Sequence, residues 1–188
     1  DGVVGQMMEK VELRPMKDRM SNEEIAQKYP WATTGKTPDR KQNVITSLAL
    51  DAAVHERLND KLQAKYKQME EEDVRFETYM CEDAEHVIVA YGCMARICES
   101  TIDQARAEGI KLGLLRPITL FPFPTKEIQR LTPQLKTIMS VELSAGQMIE
   151  DIRLAVNGQI PVNFFGRLGG IVPSPEEVYE AFKKEINK

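Results

Sequence analysis

Histidine and cysteine are scarce in this chain of 188 residues, which has two histidines and three cysteines. The odd, low number of cysteines argues against a disulfide framework and indicates a reducing compartment such as the cytoplasm. Cys93 and Cys98 are five positions apart, a spacing that matches none of the common zinc or iron–sulfur motifs. The sequence therefore predicts no metal site in this chain, and it favours buried, unreactive thiols at Cys93 and Cys98.

The chain also lacks a strong charge excess and a long apolar run. Its net charge is -4, which gives neither the basic patch of a nucleic-acid-binding protein nor a polybasic membrane surface. The longest uncharged apolar stretch, near Ile138, is too short to span a bilayer. The opening residues Asp1–Gly5 contain no basic n-region and no long apolar segment, so no signal peptide is predicted. A start without methionine indicates a piece cut from a longer protein.

Hydrophobic periodicity divides the chain into parts of different character. Residues 1–50 contain prolines, glycines and polar clusters and are interpreted as a linker. Residues 51–73 predict one long connecting helix, with Asp51 as its cap and a single apolar stripe that requires a partner surface. From residue 74 onward, apolar strands alternate with amphipathic helices, which is typical of a parallel sheet covered on both faces. We therefore expect an α/β domain over residues 74–188.

The length of the connection between the first two strands determines the direction of the first strand. The predicted strands are 74–80, 86–90, 110–115, 137–143 and 161–165, and the predicted helices are 94–108, a short helix from Thr125, 146–156 and a helix capped by Ser174. Only a few residues separate the first strand from the second, whereas a parallel crossover needs roughly a dozen or more. The first strand is therefore predicted to run antiparallel to the others.

Four short features near the strand ends bear on function. Tyr91-Gly92-Cys93-Met94 lies where a dinucleotide-binding fold places its phosphate loop, but only one of the fingerprint glycines is present. Cys93 begins a helix, which favours a reactive thiol, yet no base is evident, and a structural role is preferred. Arg116 and Glu142, near the ends of two apolar strands, are either site residues or an ion pair, and we expect the ion pair. The segment Gly166–Gly170 predicts a tight turn or a close approach by another domain.

Five phrases of the sequence resemble the alpha subunits of 2-oxoacid:ferredoxin oxidoreductases. They are Asp1–Glu9 (DGVVGQMME), Ala84–Gly92 (AEHVIVAYG), Gly109–Pro124 (GIKLGLLRPITLFPFP), Val141–Met148 (VELSAGQM) and Gly166–Pro175 (GRLGGIVPSP). They follow the family's order over nearly the whole chain. The resemblance is strongest to the branched-chain type that acts on 3-methyl-2-oxobutanoate, and the 2-oxoglutarate and pyruvate members are the alternatives within the family.

The resemblance implies a fold and a division of labour between parts of a larger enzyme. Residues 74–188 are expected to be similar to the carboxy-terminal domain of transketolase, a three-layer α/β/α fold whose five-stranded mixed sheet has the order 1-3-2-4-5. Asp1–Glu9 would be the tail of the preceding domain. The whole enzyme would use thiamine diphosphate, magnesium, iron–sulfur clusters and coenzyme A to convert a 2-oxoacid to an acyl-CoA, with ferredoxin as electron acceptor. The beta subunit and other subunits are the expected partners. The motifs that hold these cofactors are absent from this chain, so the fragment alone is expected to be inactive.

This strand order places a candidate crevice between the second and fourth strands. It would be lined by Gly92 and Cys93 on one side and by Ser144, Ala145, Gly146 and Gln147 on the other, with Arg116 within reach. Because two helices begin there, we expect their backbone N–H groups to meet an anion, a coenzyme A phosphate or a neighbouring subunit. In one alternative the linker fills the crevice. In another, the domain is a free-standing α/β binding domain for a small anion or nucleotide.

Overall fold

The chain divides into two units between Ala64 and Lys65, and the first of them contains a short capped helix. The computed structural model describes residue 13, residues 15–32 and residues 38–187. The phrase Asp1–Glu9 lies outside these described residues. Helix α1 (Asn22–Lys28) begins with a capping box, in which Ser21 and Glu24 each accept the other's backbone N–H.

Helix α2 (Ala52–Glu72) has the extent that the sequence predicts. Asp51 caps it, because the Val54 N–H donates to Asp51 Oδ1 at 2.8 Å. None of its residues is buried. Its apolar stripe is therefore partly open to solvent, as shown by Val54 and Leu58, which are 45% and 37% exposed.

The second unit, from Lys65 onward, contains a five-stranded sheet. The strands are β1 (Phe76–Tyr79), β2 (His86–Val89), β3 (Leu112–Pro117), β4 (Thr137–Glu142) and β5 (Val162–Gly166). Their order is β1-β3-β2-β4-β5, with β1 antiparallel to β3 and the other neighbours parallel. The predicted strand order and the antiparallel first strand are confirmed.

Helices connect the parallel strands or follow the last one, and they cover both faces of the sheet. They are α3 (Gly92–Ala107), α4 (Thr125–Leu131), α5 (Met148–Val156) and α6 (Pro175–Ile186). Helices α3 and α6 pack on one face through a buried cluster that includes Leu114 and Phe182. Helices α4 and α5 pack on the other through a cluster that includes Leu115 and Ile152. These two cores form the predicted three-layer architecture. No helix in the described part of the chain is both long enough and apolar enough to cross a membrane.

Two helices begin two residues away from their predicted starts. Helix α3 begins early, at Gly92, where φ is +59° and only glycine is unstrained. Helix α5 begins late, at Met148, because side-chain hydrogen bonds hold the preceding turn in another conformation. The start of α6 matches the prediction, with Ser174 and Glu177 forming a capping box around Pro175.

Candidate functional site

The two sides of the candidate crevice lie at neighbouring strand ends. Strands β2 and β4 are parallel neighbours, so the turn at Gly92 and the loop 143–147 lie at the same edge of the sheet. Gly92 and Gly146 have φ values of +59° and +106°, a region that glycine adopts without strain. Ala145 and Gln147 are exposed, whereas Ser144 is half-buried. The loop after β4 therefore presents a surface, while part of it is held inward.

The inward anchor of this loop is Glu142, the last residue of β4, of which only 1% is exposed. Its carboxylate accepts five hydrogen bonds from nearby residues of its own chain segment. The donors are the hydroxyls of Ser140 and Ser144, at 2.8 and 2.9 Å, and the N–H groups of Gln147, Met148 and Ile149, at 2.9, 3.1 and 3.0 Å. These N–H groups lie at the start of α5, where a helix leaves its amides without intrahelical acceptors.

This geometry corrects the prediction that the N–H groups of both helices are open to an external anion. The N-terminus of α5 is filled by the chain's own carboxylate, which also interacts favourably with the helix dipole. At α3, by contrast, the N-cap residue Tyr91 makes no side-chain capping hydrogen bond. A charged residue at the end of an apolar strand, shortly before a helix, was the signal that could have predicted this internal cap.

The environment of Glu142 keeps it ionised. Burial raises its pKa, but the hydrogen bonds from the Gln147 N–H and from the Ser140 and Ser144 hydroxyls outweigh burial. The pKa of this carboxyl therefore lies below its ordinary value of 4.5. A charged, fully hydrogen-bonded carboxylate of this kind stabilises a turn and is poorly suited to exchange protons with a substrate.

Arg116 does not meet Glu142, either directly or through water as the sequence predicted. Its Nη1 lies 3.0 Å from Oε2 of Glu77, the residue opposite it across β1 and β3. Side chains alternate between the faces of a strand, so Arg116 shares the face of the buried Leu114, which packs under α3 and α6. Glu142 is on the other face, where it meets α5. The predicted pair is wrong because its two members lie on opposite sides of the sheet.

Tyr91 and Cys93 form the β2 side of the crevice. Burial, followed by the negative charge of Glu142, raises the pKa of Tyr91. Cys93 is half-buried, whereas Cys98 is fully buried, and burial raises the pKa of Cys98. The prediction of a buried thiol is thus confirmed for Cys98 and wrong for Cys93.

The chemistry available at this edge is that of a contact surface. Within the described ranges, no group of three or more His, Cys, Asp or Glu side chains is placed to hold a metal ion. Two grooves, of about 550 and about 530 Å³, lie away from the crevice, one between β5 and α6 and the other beside the end of α2. The crevice itself offers the exposed loop residues Ala145 and Gln147 and, at α3, a helix start without a side-chain cap.

Comparisons with known proteins all point to one family. Residues 84–178 match the family described as pyruvate:ferredoxin oxidoreductase core domain II. The chain is 46% identical over 170 residues to ketoisovalerate oxidoreductase subunit VorB of Methanothermobacter marburgensis, covering 90% of this chain and 46% of the relative. It is 42% identical over 184 residues to the same subunit of Methanothermobacter thermautotrophicus, covering 98% of this chain and 50% of the relative. The chain thus spans about half the length of these curated relatives.

A more distant relative agrees with this family, and two solved structures agree with the fold. The 2-oxoglutarate synthase subunit KorA of Methanothermobacter marburgensis is 27% identical over 124 residues, covering 66% of this chain and 33% of the relative. A structure described as 2-oxoglutarate:ferredoxin oxidoreductase from Magnetococcus marinus with 2-oxoglutarate, coenzyme A and succinyl-CoA bound has a TM-score of 0.64 at 23% identity, covering 73% of this chain and 24% of that one. A split-gene transketolase, described as an inactive beta4 tetramer, has a TM-score of 0.51 at 17% identity, covering 60% of this chain and 41% of that one. The chain belongs to the 2-oxoacid:ferredoxin oxidoreductase family, within which it matches core domain II.

Proposed function

We propose that this chain is the carboxy-terminal part of the alpha subunit of an oxidoreductase that acts on 3-methyl-2-oxobutanoate, also called ketoisovalerate. The observation that carries the proposal is a difference in identity. The two ketoisovalerate oxidoreductase subunits are 46% and 42% identical to this chain over 90% and 98% of its length. The 2-oxoglutarate synthase subunit is 27% identical over 66% of it. The complete enzyme would oxidatively decarboxylate the 2-oxoacid to an acyl-CoA and reduce ferredoxin.

Within that enzyme, the proposed role of this chain is structural. Thiamine diphosphate needs a magnesium-binding carboxylate or amide set for its diphosphate, and iron–sulfur clusters need groups of cysteines. The described residues do not fit these groups, since no cluster of potential metal ligands is present among them, and two of the three thiols are buried. The cofactors would therefore be held by other parts of the enzyme, including the beta subunit.

We propose that residues 1–50 act as a linker joined to the preceding domain and residues 51–73 as a connecting helix, with residues 74–188 as the transketolase-like domain. Buried clusters on both faces of the sheet support the last part as a domain with its own core.

The candidate crevice is proposed as a place of contact with another subunit. Gly92 and Cys93 would form one side of the contact, and Ser144, Ala145, Gly146 and Gln147 the other. The carboxylate of Glu142 supports contact over anion binding, because it already occupies the N–H groups at the start of α5. A loop that internal hydrogen bonds hold in one conformation is suited to packing against a partner. Arg116 is left out of this surface, since it pairs with Glu77 on the opposite face.

Substrate preference in the assembled enzyme tests the proposed function. The full-length subunit is co-expressed with the other subunits, and coenzyme A-dependent reduction of ferredoxin is followed with three 2-oxoacids. We expect kcat/KM for 3-methyl-2-oxobutanoate to exceed that for pyruvate and 2-oxoglutarate by about tenfold or more. The reason is that a substrate pocket distinguishes these acids by the size and the charge of their side chains. A preference for 2-oxoglutarate or pyruvate would assign the chain to another branch of the family, and turnover of none of the three would refute the function.

A further inference from the structure

A groove with an apolar floor and an acidic rim lies between the last turns of α2 and the start of α4. Its volume is about 530 Å³, within the range of roughly 300–1,000 Å³ that is typical of ligand pockets. The floor is formed by Val74, Phe76, Phe123 and Pro124, and the rim carries the carboxylates of Glu70, Glu71 and Glu127 together with the ammonium group of Lys126. All of these residues belong to the second unit. We call this surface the α2–α4 groove.

The loop that follows β3 lies beside the groove, because the N–H groups of Ile118 and Thr119 donate to the carbonyl oxygen of Arg75, which stands between the groove residues Val74 and Phe76. Phe76 is 38% exposed, and the loop residues Ile118, Leu120 and Phe121 are 50%, 48% and 57% exposed. Tyr66 of α2 is 38% exposed, and its ring meets that of Phe121 edge-on at a centroid distance of 5.8 Å. Large apolar side chains grouped on one surface are typical of an interaction site, whereas single ones are common everywhere.

Negative charge is concentrated at the same end of α2. The run Glu70–Asp73 places consecutive carboxylates at the C-terminus of the helix, where the helix dipole already disfavours anions. The last turn of the helix contains no basic residue. Lys126 pairs with Glu71 and Arg130 with Glu127, and both of these cations are mostly exposed. The rim nevertheless stays net negative, with three carboxylates against the one ammonium group of Lys126. A partner segment that complements this surface would therefore combine apolar residues with a positive charge.

We propose that the α2–α4 groove is the docking surface for another subunit of the same enzyme, which inserts a segment with an arginine or lysine between apolar residues. The apolar residues and the aliphatic stem of the basic side chain would cover the floor. The charged head would meet the rim carboxylates and the negative end of the α2 dipole. The inference rests on the proposed function, since a multi-subunit oxidoreductase supplies the partner subunit.

Photocrosslinking in the assembled enzyme tests the identity of the occupant. Benzoylphenylalanine replaces Phe121 in the full-length subunit, which is co-expressed with the other subunits, irradiated and analysed by mass spectrometry. We expect a single adduct with a segment of another subunit that contains a basic residue among apolar ones. An adduct confined to the same polypeptide, an adduct with a segment that lacks a basic residue, or no adduct would overturn the proposal.

Charge reversal at the rim tests the electrostatic part of the proposal. Glu70→Lys combined with Glu71→Lys should lower the yield of the adduct by about tenfold or more, because like charges would then face each other. Both residues are exposed, so the fold tolerates the change. Glu56→Lys combined with Asp60→Lys makes the same change of charge on exposed positions of the same helix, and it should leave the yield unchanged. Equal yields for the two double variants would overturn charge complementarity.

Turnover of the parent assembly separates a failure of the groove from a failure of the proposed function. Turnover of 3-methyl-2-oxobutanoate without an adduct at position 121 would refute the docking surface alone. No turnover of any 2-oxoacid, in a preparation where the subunits co-purify, would refute the proposed function, while an adduct with a basic segment of another subunit would still support the groove.

Discussion

Replacing Glu142 with glutamine removes one negative charge and nearly preserves the size of the side chain. Oε1 accepts hydrogen bonds from the Ser140 hydroxyl and the Ile149 N–H, and Oε2 accepts from the Ser144 hydroxyl and two further backbone N–H groups. Glutamine has an acceptor at only one of these two positions, and its NH₂ group must face the donors at the other. The less costly orientation turns NH₂ toward Ser140, whose hydroxyl can rotate to accept, and leaves the Ile149 N–H without an acceptor.

The substitution should lower the free energy of unfolding by about 2–4 kcal/mol. A buried donor without an acceptor costs roughly 1–3 kcal/mol. The lost attraction between the charge and the helix dipole adds roughly 1 kcal/mol. For a chain of this length, each kcal/mol shifts Tm by roughly 2–4 °C, so Tm should fall by about 5–15 °C.

The stability contributed by Glu142 depends on pH in a definite direction. Because its pKa is lower in the folded protein than its ordinary value of 4.5, the unfolded chain binds more protons, and stability rises with pH over this range. The contribution is fully present above pH 4.5 and is lost as the pH falls through the lowered pKa. The difference in stability between the parent and Glu142→Gln should therefore be largest at neutral pH and should narrow below pH 4.5.

Urea unfolding followed by circular dichroism measures this difference at each pH. Glu150→Gln is the matched control, because Glu150 is in the first turn of the same helix, is exposed and pairs with Arg153. The control should lose less than about 1 kcal/mol. If Glu142→Gln loses no more stability than Glu150→Gln, or if its deficit is independent of pH, then the buried carboxylate does not hold this turn.

Three further predictions test other parts of the structure. Gly166→Ala should cost more than about 2 kcal/mol in urea unfolding, because its methyl would lie 2.4 Å from a backbone carbonyl oxygen. A neutral effect would contradict this close approach. Arg116→Ala should cost less than about 1 kcal/mol, since its pair with Glu77 is exposed. A loss as large as that of Glu142→Gln would contradict this. Cys93 should react with Ellman's reagent in the folded chain, whereas buried Cys98 should react only after unfolding, and equal rates would refute this difference.

Chain connectivity explains why much of the fold is predictable from the sequence. The segment between β1 and β2 is too short for a parallel crossover, so the first strand must run antiparallel. Apolar runs separated by amphipathic segments predict where each strand and helix lies, although α3 starts two residues earlier and α5 two residues later than predicted. The strand order itself rests on the resemblance to transketolase, because periodicity alone does not determine which strands are neighbours.

The candidate site is less predictable because β3 and β4 are buried on both faces. In such strands apolar residues occupy successive positions, so no alternation reveals which face a given side chain joins. The sequence therefore places Arg116 and Glu142 at the ends of the two strands that flank β2, without showing that the two side chains point to opposite faces. The internal cap of α5 depends on how loop 143–147 folds back on Glu142, and its spacing matches no standard capping motif.

Isothermal titration calorimetry tests most directly whether this chain supports an oxidoreductase without holding its thiamine cofactor. Thiamine diphosphate with Mg²⁺ is titrated into the chain and, in parallel, into the enzyme assembled from full-length subunits. We predict saturable binding to the assembled enzyme and no measurable heat of binding to the chain alone. Saturable binding to the chain with a Kd in the micromolar range or tighter would contradict the structural role proposed for it.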